Sequence, residues 1–211
     1  MSPADNPTLE ELFIELTTCL RMQGGDDERA EQAAKALAQF GESALPGLQA
    51  LLASPVEDDR WWAVRTLAEI DHESREKGEK HESVLDLLIG AAADESADVR
   101  QAAFLGLRLH PDPAAIAVLI TALADPDSLC ASMAADALVA IGSEAVPALL
   151  EVVEVGSQPA RLEAVRALAE IKDPRAIQTL IAVLDEDSAL LEYWASQGLE
   201  DMGVGTAFFL P

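Results

Sequence analysis

The sequence predicts an all-α chain: an α-solenoid of about five helical hairpins, opened by an N-terminal capping helix and closed by a truncated unit. Three observations predict it. The string AVRTLAEI at 63–70 returns almost unchanged as AVRALAEI at 164–171. A second string keeps step with the first, because LPGLQALL at 45–52 is echoed by VPALLEVV at 146–153. One leucine per unit recurs as well: Leu37, Leu67, Leu107, Leu138, Leu168 and Leu199, at spacings of 30, 40, 31, 30 and 31 by subtraction. Periods of this length mark units that cannot bury an apolar face alone and stack to share a core.

In chain order, Thr8-Leu9-Glu10-Glu11 is a capping box that opens an amphipathic helix through about Met22, and residues 8–25 form the cap. Repeats are expected at 26–57, 58–95, 96–127, 128–157 and 158–187, with a partial unit and tail at 188–211. Each unit reads as two helices. The first carries its apolar residues at i, i+4 and i+7, as in Ala164, Leu168 and Ile171, so they share one face. Intermediate copies are AAKALAQF (33–40), AFLGLRLH (103–110) and AADALVAI (134–141), with a weaker ASQGLEDM (195–202). Breakers follow at Gly41, Asp71, Pro111 with Pro113, Gly142, and Asp173-Pro174. The second helix then starts, as at 116–123 or 176–184, with Pro46 and Pro147 in first turns where a missing N–H costs little. Acidic turns (Asp94-Glu95, Asp125-Pro126-Asp127, Asp185-Glu186-Asp187) are placed to cap the next helix. The spacing of 40 marks an insertion, residues 72–81, read as a polar loop joining the two helices of its unit. The apolar end, residues 204–211, is expected either to fold over the last core or to anchor a partner or a second copy.

Composition narrows the function classes. Half the residues are hydrophobic and only 4% aromatic, which suits closely packed helices rather than disorder. The net charge is −24, from 14 basic and 38 acidic residues. That field disfavours nucleic acid and anionic membrane, and its natural complement is a basic protein surface. Only four residues are lysine, and high acid with low lysine also suits a high-salt cytoplasm. Cys19 and Cys130 form no CxxC pattern, and no apolar run reaches a membrane span, so a soluble cytoplasmic protein is expected. No GxSxG, P-loop or GxGxxG string is present.

The repeat resembles HEAT repeats, and more narrowly the short HEAT-like repeats grouped with phycobilisome bilin lyases, over roughly residues 26–203. The residues that carry the resemblance are a turn Asp followed by Arg and Ala, as in Asp98, Arg100 and Ala103, and the Arg-x-x-Ala steps at Arg60 with Ala63 and Arg161 with Ala164. The resemblance implies an inter-repeat ladder of Asp and Arg, interrupted where Ala131 and Glu192 replace the arginine. It also implies that second helices line a concave face, with Gln49, Asp86, Thr121, Glu151 and Gln178 as polar candidates there.

Three features are candidates for function. Trp61-Trp62 and Tyr193-Trp194 occupy equivalent places in two units, and adjacent helical residues differ by 100°, so one of each pair is expected at a repeat boundary or the surface. No Lys or Arg lies between Arg108 and Arg161, and within that stretch Glu151 and Glu154 stand three apart on one side of a helix. With Asp86 they suggest an acidic groove for a basic segment; the plainer reading is a solvated face. The insertion offers His72, Lys77 and His81 as loop candidates. Its His72-Glu73 and His81-Glu82 are similar to the iron-binding dipeptides of HEAT-type deoxyhypusine hydroxylases, but both lie at one insertion, so no metal site is expected. No catalytic residue and no cofactor is expected. The expected function is a non-enzymatic protein–protein interaction module, a scaffold or assembly factor that presents a curved acidic surface to a protein partner. The alternatives are a bilin-lyase-like chaperone presenting a tetrapyrrole to a phycobiliprotein, and a metal-dependent hydroxylase.

Overall fold

The leucine that recurs in each repeat is sealed between helices, and this burial sets the layering. The computed structural model describes residues 7–21, 27–76 and 82–204. They hold twelve α-helices, and no strand occurs among them. The helices fall into two compact units, Met1–His110 and Pro111–Pro211.

The first unit contains α1 (Leu9–Arg21), α2 (Asp27–Ala38), α3 (Leu45–Leu52), α4 (Glu57–Glu76), α5 (Glu82–Ala91) and α6 (Ala97–Leu109). One layer runs α1 on α2, α2 on α4, and α4 on α6, while α3 and α5 cover α4 from the second layer. Leu37, Leu67 and Leu107 lie fully buried within it. The capping box forms as the sequence predicts: the Thr8 N–H donates to Glu11 Oε2 (2.7 Å), and the Glu11 N–H donates to Thr8 Oγ1 (3.3 Å). The Thr8 N–H, and after it the Thr8 hydroxyl, which also donates to Glu11 Oε2 (2.9 Å), hold the Glu11 carboxyl below the usual carboxylate range.

The second unit contains α7 (Ile116–Ala122), α8 (Ser128–Ile141), α9 (Val146–Val155), α10 (Gln158–Ile171), α11 (Ile177–Val183) and α12 (Ala189–Asp201). Here α8, α10 and α12 form one layer, and α7, α9 and α11 pack on them in turn. Leu138, Leu168 and Leu199 are buried at its centre. The two copies of the repeated octapeptide carry the same charge link. Arg65 Nη2 donates to Glu31 on the preceding first helix (2.6 Å), and Nη1 donates to Glu69 one turn on. Arg166 Nη1 likewise reaches Asp136 on the preceding first helix (2.9 Å) and Glu170 one turn on.

The corner between the two helices of a repeat is solved in two ways. Gly41 and Gly142 take positive φ (54° and 79°), a conformation that needs no Cβ, and a short 3-10 turn leads into α3 and α9. Before α7 and α11 the corner is an Asp-Pro pair instead. Asp112 accepts from the Ala114 N–H (3.0 Å) and Asp173 from the Arg175 N–H (2.9 Å), with the proline locked at the first turn.

Three expectations are corrected. Asp71 does not stop its helix: α4 runs on to Glu76, because residues 71–76 contain neither glycine nor proline to break it. Half of the anticipated 72–81 loop is therefore helix; residues 77–81 lie outside the described residues. The cap of α6 is not the acidic pair Asp94-Glu95 but Ser96, whose hydroxyl accepts from the N–H groups of Asp98 and Val99. Asp98 is exposed, and the aspartate that meets Arg60 is Asp94, in the turn before α6. Asp127 does cap α8, accepting from the Cys130 N–H (2.9 Å).

Candidate functional site

Each candidate residue can be placed on these elements. Trp62 is buried and Trp61 half-buried, and both pack on the cluster that joins α1 to α2 through Leu12, Leu16 and Leu37. Their rings meet edge to face, 4.9 Å between centroids. They fasten the N-terminal cap, which leaves little ring surface for a partner. Tyr193 and Trp194 also meet edge to face, at 5.1 Å, but Tyr193 is 57% exposed and Trp194 half-buried on α12. Asp86 is exposed on α5, in the first unit, and Glu151 and Glu154 belong to α9, in the second. The backbone of His72 belongs to α4, while Lys77 and His81 lie outside the described residues. Among the described residues, no group of three or more His, Cys, Asp or Glu is arranged to hold a metal, and no helix is long and apolar enough to cross a membrane.

Glu151 and Glu154 come together in a groove of about 600 Å³ between α9 and α11. Helix α9 leaves both carboxylates exposed because Val146, Leu149 and Val152 turn into the core. Pro147, Leu150 and Val153 of α9 and Thr179, Ala182 and Val183 of α11 line the groove, and Gln178, Arg161 and Glu186 complete it. Arg161, near the start of α10, lines the groove as well. Its Nε donates to the Val153 carbonyl (2.7 Å) and its Nη2 to Glu186 Oε1 (2.6 Å). The groove thus offers apolar walls, two exposed carboxylates and one guanidinium held by two hydrogen bonds, and its size falls in the range of small-molecule sites, roughly 300–1,000 Å³. The sequence singled out Glu151, Glu154 and Gln178 but took Arg161 only as a ladder residue. Its signal was the Arg-x-x-Ala step, which does not reveal whether the arginine is closed off or open.

A second, apolar groove of about 500 Å³ lies in the first unit between α1 and α3. Phe13, Ile14, Pro46 and Leu51 line it. Gly47 permits its shape, since a Cβ there would stand 2.4 Å from the Phe13 ring.

Comparison with known proteins settles the family. The HEAT repeats match at residues 48–139, 84–159 and 125–200, which together span well over half the chain. The chain belongs to the HEAT-repeat family. An engineered protein of known crystal structure is similar to this HEAT-repeat chain over 94% of its length and 100% of that protein's, with a TM-score of 0.50 and 22% identity. That likeness is one of fold alone. The phycocyanobilin lyase subunit beta of Pseudanabaena tenuis is 43% identical over 76 residues, which is 36% of this chain and 27% of that protein. The phycocyanobilin lyase subunit beta of Nostoc sp. is 36% identical over 104 residues, 49% of this chain and 52% of that one. The HEAT-repeat chain thus spans about half, or less, of the length of these relatives. Their names overturn the expectation of a non-enzymatic interaction module, and the expectation of no enzymatic activity with it. Repeat geometry alone did not carry that information, because one scaffold serves holding and catalysing proteins alike.

Proposed function

We propose that this HEAT-repeat chain is a subunit of a bilin-lyase-type assembly, which holds a tetrapyrrole and presents it to a phycobiliprotein for attachment. The observation that carries this reading is the 43% identity with a phycocyanobilin lyase subunit beta. The α9–α11 groove supports it chemically. A bilin is a flat conjugated ligand with apolar edges, a row of pyrrole N–H groups and carboxylate side chains. Leu150, Val153, Ala182 and Val183 supply apolar wall, and Glu151 and Glu154 supply acceptors for N–H groups. The relatives are named as beta subunits, so a second protein subunit is the proposed partner.

The test uses the purified chain with phycocyanobilin, with and without a candidate alpha subunit and an apo-phycobiliprotein. Binding is expected to shift the bilin absorbance. The complete mixture is expected to leave chromophore covalently bound to the acceptor after denaturation. If no spectral change occurs with the chain, and omitting it leaves attachment unchanged, the reading is wrong.

A further inference from the structure

Two of the arginines that begin Arg-x-x-Ala steps, one in each unit, stand in contrasting environments. Arg60, in the first unit, is closed. Its Nε and Nη2 form a two-pronged bond to Asp94 (2.8 and 3.0 Å), its Nη1 donates to the Ser54 carbonyl (3.1 Å), and its side chain is only 7% exposed. Every nitrogen of that guanidinium has a partner. Arg161 keeps the backbone bond and one carboxylate bond, through Nε and Nη2, while its Nη1 makes no hydrogen bond among the described residues. Its side chain is 21% exposed and lines the α9–α11 groove. It is the one cation among the groove's lining residues, which include the carboxylates of Glu151, Glu154 and Glu186.

We infer that Arg161 is the specificity-determining residue of this groove, taking a carboxylate of the bound ligand, on the proposed reading a propionate of the bilin. A guanidinium fixed by two bonds presents its free edge at no further cost in side-chain ordering, and such a fork suits a carboxylate. The rest of the lining makes the assignment sharp. Three glutamates repel an anion, so on charge alone the groove would prefer a ligand with masked carboxyls. Arg161 is the one positive charge in the lining, so a charge-based preference for the free acid comes from it. Glu186 competes for the same guanidinium and so limits the strength of that preference.

This inference rests on the bilin reading, and one experiment separates the two. Affinity is measured by spectral titration for phycocyanobilin and for its dimethyl ester, on wild-type protein, Arg161→Gln and Glu186→Gln, with helicity checked by circular dichroism. Wild type is expected to bind the diacid on the order of tenfold more tightly than the ester, the scale of one charge-assisted hydrogen bond. Arg161→Gln should lose that discrimination while binding the ester as wild type does. Glu186→Gln should widen it, because the competitor is gone; a merely structural role for the Arg161–Glu186 pair predicts weaker binding of both ligands instead. Equal wild-type affinity for acid and ester overturns the inference and leaves the bilin reading standing. So does an Arg161→Gln variant that keeps its preference or loses both ligands equally. If neither form binds the wild type, the reading fails and the inference with it.

Discussion

At the scale of single residues, charge decides more here than its solvent-exposed majority suggests. Arg60 and Asp94 are 7% and 13% exposed, so neither can recover water if the other is removed. Burial pushes the Asp94 carboxyl up, yet the hydrogen bonds from Arg60 and from the Ser96 N–H outweigh it and hold the group below the usual carboxylate range. The sign follows: a carboxyl with a depressed folded-state pKa stabilises above its unfolded value, near 3.9, and that stabilisation fades as pH falls through the lowered folded value. Asp94→Ala leaves the buried Arg60 with only the exposed Glu95 carboxylate and the Ser54 carbonyl, and is expected to cost about 3 kcal/mol in chemical unfolding at neutral pH. The variant should also lose less stability than wild type between pH 5 and pH 2. A cost under about 1 kcal/mol, typical of surface pairs, would mean that water reaches the pair.

At the scale of elements, glycine shows how closely the layers approach. In α12, a Cβ on Gly198 would stand 2.7 Å from the Cα and Cβ of Ala169 on α10, and neither atom can swing away. In α5, a Cβ on Gly90 would meet nothing within 4 Å. The same substitution should therefore have opposite signs. Gly90→Ala is expected to stabilise by about 0.5 kcal/mol through helix propensity, and Gly198→Ala to destabilise by about 2 kcal/mol because the helices must part. Thermal unfolding of both variants checks this, and a Gly198→Ala variant at least as stable as wild type would refute the close approach. The leucine spacing, the capping box and the Ala-rich first helices made the layering readable in the sequence, since each is a local pattern with a fixed period. The length of α4 was not readable from the polar run after Ile70, because polarity suggests a loop while helix continuation needs only the absence of a breaker. The groove was half readable. Glu151 and Glu154 share a side by their i, i+3 spacing, but Arg161 enters from a third helix, and whether its partner leaves a nitrogen open depends on packing that no local pattern encodes.

At the scale of the whole molecule, 38 acidic residues face 14 basic ones, so 24 carboxylates, the difference, have no cation to match them at neutral pH. Salt acts on this charge in two directions. It weakens ion pairs, and it screens repulsion among the unmatched acids over a Debye length of about 10 Å at 0.1 M. The pairs with most to lose are the least accessible to screening: Arg60 with Asp94 is buried, and Arg166, 13% exposed, sits among Asp136, Glu163 and Glu170. Exposed pairs such as Arg29 with Glu15 contribute little in the first place. Repulsion therefore dominates the balance. The melting temperature is expected to rise by about 5 °C between low salt and 0.5 M sodium chloride, which corresponds to one to two kcal/mol for a chain of this size. Potassium chloride should match sodium chloride, because screening depends on ionic strength and not on the cation. A melting temperature that falls with salt would instead mean that the ion pairs outweigh the repulsion. A rise with one cation alone would point to specific binding among the carboxylates rather than to a diffuse field.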